Sequence, residues 1–306
     1  ICQAHAPFGT TALLATLITD TPEITAEAVE AGAAAAKQNV PGFLGLHLEG
    51  PHLSLARKGA HDPKLIRPMS ETDLENLTAA RKRVPVLLST LATESVTPEQ
   101  VRRLSDAGVI VSLGHSDAKL AEARACVEAG ATVATHLFNA MSQMGNREPG
   151  LVGTVLDDGR LWAGLIPDGV HVDPVMIGVA LRSKQGPSKI FLVTDAMATI
   201  GTDMTSFTLN GRTIRRENGR LTLENGTLAG ADLDMISAVR FMHQVVGLDL
   251  AEALRMASLY PAQAARVDSR YGRLRTGSRA DMVHLDDALN VRDVWIANQH
   301  VSPEQA

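Results

Sequence analysis

Apolar residues gather in short runs separated by amphipathic stretches, and the two alternate along most of the chain. The runs "TALLATLI" (11–18), "FLGLHLE" (43–49), "VPVLLSTL" (84–91), "VIVSLGH" (109–115), "TVATHLF" (132–138), "LWAGLIP" (161–167) and "KIFLVTDA" (189–196) predict strands. Between them, helical spacing of apolar positions predicts helices over 25–38, 71–82, 98–107, 118–129 and 174–183. Nearly continuous apolar strands suit a parallel sheet covered on both faces, which repeated βα units build. A doubly wound open sheet is the alternative, but no glycine-rich phosphate fingerprint opens a helix after the first strand. The expected fold class is therefore α/β, a (β/α)8 TIM-type barrel. Seven runs leave it one strand short, so its first strand is expected upstream of Ile1.

The rhythm breaks at 206–231, "SFTLNGRTIRRENGRLTLENGTLAGA", where Asn210-Gly211, Asn218-Gly219 and Asn225-Gly226 separate short alternating stretches. Asn-Gly favours the positive φ angles of a tight hairpin, so a β-meander is expected there. Helical spacing resumes at about 233–247 and 250–258. The segment 272–301 then returns to short strands. The organisation expected is a barrel over 1–271, carrying the meander, with 272–306 as part of a small β-subdomain.

Composition narrows the function classes. Hydrophobic residues make up 45% of the 306 positions, charged residues 21% and aromatics only 3%, so Ala, Val, Leu, Ile and Met must build the core. A net charge of −5 argues against a general nucleic-acid or anionic-membrane binder. Cys2 and Cys126 give neither a disulfide framework nor zinc-finger spacing, which fits a reducing cytoplasm. No apolar run approaches the roughly 18 residues of a membrane span. The chain opens at Ile1 without a signal-peptide pattern and is expected to begin inside a longer protein.

Chemistry in a βα barrel sits at the carboxyl ends of the strands. Four predicted strands carry ligand-type residues there: Glu49, His115, His136 and Asp195. A single histidine in such a place is usually a hydrogen-bonded structural residue, but four residues in one topological position form a pattern. Two histidines and a glutamate suit a divalent transition metal such as zinc or iron. An aspartate beside them has the chemistry of a general base on water activated by such an ion. Lys189 precedes its strand, which counts against a Schiff-base aldolase, and no G-x-S-x-G elbow marks a serine hydrolase. His47, on the opposite face of the same strand as Leu46 and Leu48, reads as either core packing or outer support for the site.

The stretches "GLHLEGPHLS…KGAHDP" (45–63), "SLGHSDA" (112–118), "THLFNAMSQMGNREPGLVG" (135–153), "DGVHVD" (168–173), "LVTDAMA" (192–198) and "LYPAQAA" (259–265) resemble the N-acetylglucosamine-6-phosphate deacetylase family. That family belongs to the amidohydrolase superfamily of metal-dependent barrels, and the motifs run in order over nearly the whole chain. The resemblance implies hydrolysis of N-acetylglucosamine 6-phosphate to glucosamine 6-phosphate and acetate. It implies one divalent ion per subunit, zinc or iron, held by Glu49, His115 and His136. Asp195 would carry the proton between water and the leaving amine, and His61 would polarise the acetamide carbonyl. Asn139, the Ala140 amide, Arg147 and His171 would hold the phosphate, with Arg147 able to come from a neighbouring subunit, which implies a homodimer. Taken alone, Arg147 next to Glu148 reads as a solvated ion pair. The His-x-His or Gln variant motif of the family's first strand is absent, so a second metal position is not assessable; His5 stands alone. Ala15, Leu55, Thr93 and Thr199 replace family prolines, and Ala231 stands where the family often has Ser. Two further readings stay open: a hydrolase of another amide in the same superfamily, and an inactive sugar-phosphate-binding barrel.

Overall fold

The computed structural model describes residues 1–301; the last positions of the expected β-subdomain, 302–306, lie outside the described residues. Its largest sheet takes strands β1 (Leu13–Ile18), β2 (Phe43–Glu49), β3 (Val86–Leu91), β4 (Ile110–Leu113), β5 (Val133–Ala134), β6 (Trp162–Leu165) and β7 (Ile190–Leu192) in sequence order. From β2 to β6 the neighbours pair in parallel. An unbroken sequential order is that of a βα barrel, because a doubly wound sheet reverses direction at a switch point. The α/β barrel expected from the apolar rhythm is the architecture found.

Contacts divide the chain into two compact units, one of 14–164 with 183–190, the other of 1–13 with 165–182 and Phe191 onward. The core of the first draws on Leu87, Leu91, Val111, Leu113, Leu137 and Leu151, each with no exposed surface. Burial of a side chain of this size is worth about 1.5–3 kcal/mol. Its helices begin where the sequence supplies caps. Thr21 accepts from Ile24 N ahead of Pro22–Lys37, while Ser70 with Asp73 and Thr97 with Gln100 form capping boxes for Glu71–Arg81 and Pro98–Asp106. Pro22 at the first helical position starts that helix three residues before the apolar pattern does.

In the second unit, residues 206–231 form the expected meander. Its strands β8 (Ser206–Leu209), β9 (Arg212–Glu217), β10 (Arg220–Leu223) and β11 (Leu228–Ala231) pair antiparallel in consecutive order. Asn210 at φ 48° with Gly211 at 71°, and Asn218 at 50° with Gly219 at 71°, make the two-residue turns. A further antiparallel sheet holds β12 (Met282–Leu285), β13 (Val291–Ile296) and β14 (Gln299–Val301).

Four local expectations need correction, the first being the strand read over 189–196, which is only Ile190–Leu192. The strand read over 132–138 is only Val133–Ala134, because His136 at φ 28° and Phe138 at φ 76° leave the β region. The helix read over 233–247 is Met235–Arg240 followed by a π turn, Phe241–Val245. Three short helices fall outside the expected ones, Cys2–His5, Gly150–Asp157 and Leu259–Ala264.

Candidate metal centre

Glu49 is the last residue of β2 and is 4% exposed. Gly50 follows at φ 92°, and a Cβ there would lie 2.1 Å from Thr19 Oγ1, so only glycine lets the chain turn away at this point. His115 and His136 each stand two residues beyond their strands, at φ 47° and 28°. Left-handed backbone at residues other than glycine costs about 1–3 kcal/mol and persists where the surroundings over-determine it. Here it turns both imidazoles inward, and both are buried.

Three atoms converge. Glu49 Oε1 lies 3.2 Å from His115 Nε2 and 3.3 Å from His136 Nε2, and the two nitrogens are 3.1 Å apart. Oε1 is buried and has no properly directed hydrogen bond, although two ring nitrogens are within bonding distance. Lone pairs aimed at one point rather than at each other leave that signature. A tetrahedral ion with bonds of roughly 2.0–2.2 Å sets its ligand atoms about 3.3–3.6 Å apart, so this donor set fits a zinc-sized cation. Burial on its own would push the Glu49 carboxyl up; the adjoining His115, His136 and His61 rings outweigh it and hold the group well below the usual range.

Backbone partners decide which ring nitrogen carries the proton. His115 Nδ1 lies 2.9 Å from the Arg57 carbonyl, and His136 Nδ1 lies 3.2 Å from the Asn139 carbonyl. A carbonyl only accepts, so both rings carry Nδ1–H and present a lone pair at Nε2, the form a metal ligand needs. His61 is the reverse. The Thr19 amide donates to His61 Nδ1 at 3.3 Å, and the Thr19 hydroxyl lies 2.8 Å from the same nitrogen. A hydroxyl can turn either way but an amide cannot, so neutral His61 carries its proton on Nε2. That N–H lies 3.8 Å from Glu49 Oε2, and a ligand atom each from Glu49, His61 and His115 fit within 4.8 Å. Burial, then the neighbouring His115 ring, takes His61 down to about 3, so it is neutral near pH 7.

His47 does not reach this cluster as a ligand. Its Nε2 is 2.7 Å from Thr90 Oγ1 and its Nδ1 is 3.1 Å from Thr16 Oγ1. Thr90 continues to Thr135 Oγ1 at 2.7 Å, and Thr135 to Ser112 Oγ at 2.6 Å. Five side chains from β1 to β5 and its end thus make one hydrogen-bonded chain.

Of the other expected site residues, Asn139, Ala140 and Arg147 belong to the same unit as this cluster. Asn139 is half-buried, its Nδ2 donating to the Leu137 carbonyl at 3.3 Å. Among the described residues the Ala140 amide donates no hydrogen bond. Arg147 is exposed, and Glu148 is not its partner: that carboxylate accepts from Leu120 N at 2.8 Å and Gly150 N at 3.1 Å. Among the described residues Arg147 and Glu148 form no ion pair. In the second unit, Asp168 Oδ1 accepts from the amides of Val170 and His171, while Oδ2 lies 2.6 Å from His171 Nδ1. His171 is thus held with Nε2 as its outer face. Asp195 lies beyond β7 at φ 50°, its carbonyl accepting from Ala231 N at 2.8 Å. Thr19, Arg57 and Asp168 were missed in the sequence; two of them act through backbone atoms, which carry no residue signature.

The Amidohydrolase family model matches residues 1–301. The chain belongs to that family. An N-acetylgalactosamine-6-phosphate deacetylase from Shewanella sp. (strain ANA-3) is 44% identical over 97% of this chain and 74% of its own length. Among solved structures, the N-acetylglucosamine-6-phosphate deacetylase of Pasteurella multocida superposes with a TM-score of 0.94 at 36% identity, covering 98% of this chain and 78% of that one. An Asp-to-Ala variant of the Mycobacterium smegmatis N-acetyl-D-glucosamine-6-phosphate deacetylase, in complex with N-acetyl-D-glucosamine-6-phosphate, gives 0.90 at 34% identity over 98% and 79%. Within this family the buried Glu49, His61 and His115 stand as a candidate metal group, with His136 Nε2 beside them. Among the described residues no helix is long and apolar enough to cross a membrane.

Proposed function

We propose that the chain hydrolyses the acetamide of an N-acetylhexosamine 6-phosphate, N-acetylglucosamine 6-phosphate first, releasing acetate and the free amine. The observation that carries this is the convergence of Glu49 Oε1, His115 Nε2 and His136 Nε2 on one point within 3.1–3.3 Å of one another. These three residues would hold one divalent ion, zinc or iron. Such an ion polarises an amide carbonyl and makes water a competent nucleophile near neutral pH.

The remaining roles belong to the chain itself. Neutral His61, with its proton on Nε2, donates to the carbonyl oxygen as charge develops there. Asp195 takes a proton from the attacking water and returns it to the departing amine, the assignment that the family resemblance makes. The unengaged Ala140 amide, Asn139, Arg147 and His171 bind the phosphate, where charge-assisted contacts are strongest. We further place the protein in the cytoplasm as a homodimer.

A second reading, the galactosamine epimer as substrate, is favoured by the 44% identical Shewanella relative. Acetate release from both 6-phosphates and from unphosphorylated N-acetylglucosamine, with zinc or iron(II) supplied, tests the proposal. Activity on either phosphorylated sugar that is lost to a chelator and restored by metal supports it. Metal-independent activity, or none on either phosphate, overturns it.

A further inference from the structure

The segment between Glu49 and His61 serves the metal centre twice. Its Ser54 amide donates to the His115 carbonyl at 2.9 Å, and its Arg57 carbonyl accepts His115 Nδ1–H at 2.9 Å. Gly59, at φ 55°, takes it past the same ring, where a Cβ would meet His115 Cε1 at 3.3 Å. The His61 amide then donates to the Lys58 carbonyl at 3.0 Å, closing the turn that presents the His61 ring. Residues 55–60 are all exposed or half-buried, so little apolar burial holds this stretch down. Segments of that kind open locally at low cost.

Arg57 supplies a tie to the neighbouring loop. Its Nε and one terminal nitrogen lie 2.8 and 2.7 Å from Asp117 Oδ1. Asp117 is itself anchored, because its amide donates to Glu94 Oε1 at 2.5 Å and the Ser116 hydroxyl donates to Glu94 Oε2 at 2.6 Å. Loops following β2, β3 and β4 are thereby linked in a row, and the first link is an ion pair with side chains 35% and 47% exposed.

We propose that the Arg57–Asp117 pair is a positioning clasp that sets how long the metal centre retains its ion. Neither side chain belongs to the donor set. Closed, the clasp keeps the Arg57 carbonyl on His115 Nδ1 and so keeps the His115 lone pair aimed at the metal position. Opened, the segment takes that carbonyl away, leaves the ring free to rotate or change tautomer, and withdraws His61. The inference rests on Glu49, His115 and His136 being the metal ligands.

The test loads the full chain with Co2+ and follows release of the ion into excess chelator for the parent, Arg57→Ala, Asp117→Ala and the double variant. Each single variant should release Co2+ on the order of 10-fold faster, the low end of what losing an outer partner of a ligand costs. The double variant should be no faster than either single, since both remove one interaction. Melting temperatures of the metal-free proteins should agree within about 2 °C, because an exposed pair adds little global stability. Raised salt should speed release from the parent and not from the variants, and the parent arm of that comparison needs no substitution. Unchanged release in both singles, or additive effects in the double, overturns the clasp while leaving the metal reading intact. A parent that fails to hold Co2+ overturns the metal reading, and the clasp with it.

Discussion

Thr19 donates its backbone N–H to His61 Nδ1 over 3.3 Å, the opposite of what the backbone does for His115 and His136. Three imidazoles in one cluster are thereby sorted into two that offer a lone pair and one that offers a proton. Residue type alone does not make that distinction.

His136→Ala should cost most of the bound divalent ion. His61→Ala should keep it and lose turnover by about 10²–10³-fold, the usual loss on removing one donor to a developing oxyanion. Elemental analysis beside acetate release checks both, and equal ion content in parent and His136→Ala would contradict the sorting.

The metal-free protein should lose stability as pH falls. Burial takes His61 to about 3, and removal from water takes His47 to about 4. Unfolded, both titrate near ~6.5, so between these limits the unfolded chain binds more protons. The contribution of the two neutral rings is complete above about pH 6.5 and is lost as pH falls toward their folded values. Urea midpoints should drop between pH 7 and 5, less steeply in His47→Gln; a flat parent profile would argue against it.

Asp195→Asn removes a base while nearly keeping its shape. Turnover should fall by ~10²–10⁴-fold with metal content unchanged, and the acidic limb of kcat/KM should vanish from residual activity. Gly230→Ala should damage the same residue indirectly, since at φ 74° its Cβ would lie 2.9 Å from the Asp195 carbonyl and 2.5 Å from Met197 Cγ. An Asn variant turning over normally would remove Asp195 from the chemistry.

Arg147→Ala and His171→Ala should raise KM for the 6-phosphorylated sugar far more than for its unphosphorylated counterpart. A charge-assisted phosphate contact is worth on the order of 1.5–3 kcal/mol. Steady-state kinetics on both sugars decide; equal losses would exclude a phosphate role.

Much of this architecture was legible because barrel strands announce themselves as apolar runs. β2 spans Phe43–Glu49, as "FLGLHLE" foretells, and it delivers Glu49 to its own end. Legibility failed where conformation outranked composition. "TVATHLF" has a strand's residues, but left-handed backbone at His136 and Phe138 ends β5 after Ala134. The helix Gly150–Asp157 hid behind Pro149, Gly150 and Gly153, all normally breakers. At the site, the sequence offered Glu49, His115, His136 and His61 as residue types. It could not show that Arg57 and Asn139 contribute carbonyls and Thr19 an amide, since every residue but proline carries both groups.

The Thr16–His47–Thr90–Thr135–Ser112 chain constrains how this barrel can change over time. Branched aliphatic side chains dominate the interior of such barrels. A lone Thr90→Val keeps the shape but takes from His47 Nε2 its hydroxyl partner and leaves Thr135 Oγ1 with Ser112 alone. Replacing the whole set with apolar residues of like volume would strand nothing. The buried Thr90 and Ser112 are therefore tied to the polar side chains they bond, while Thr16, exposed at the far end of the chain, is free to change alone.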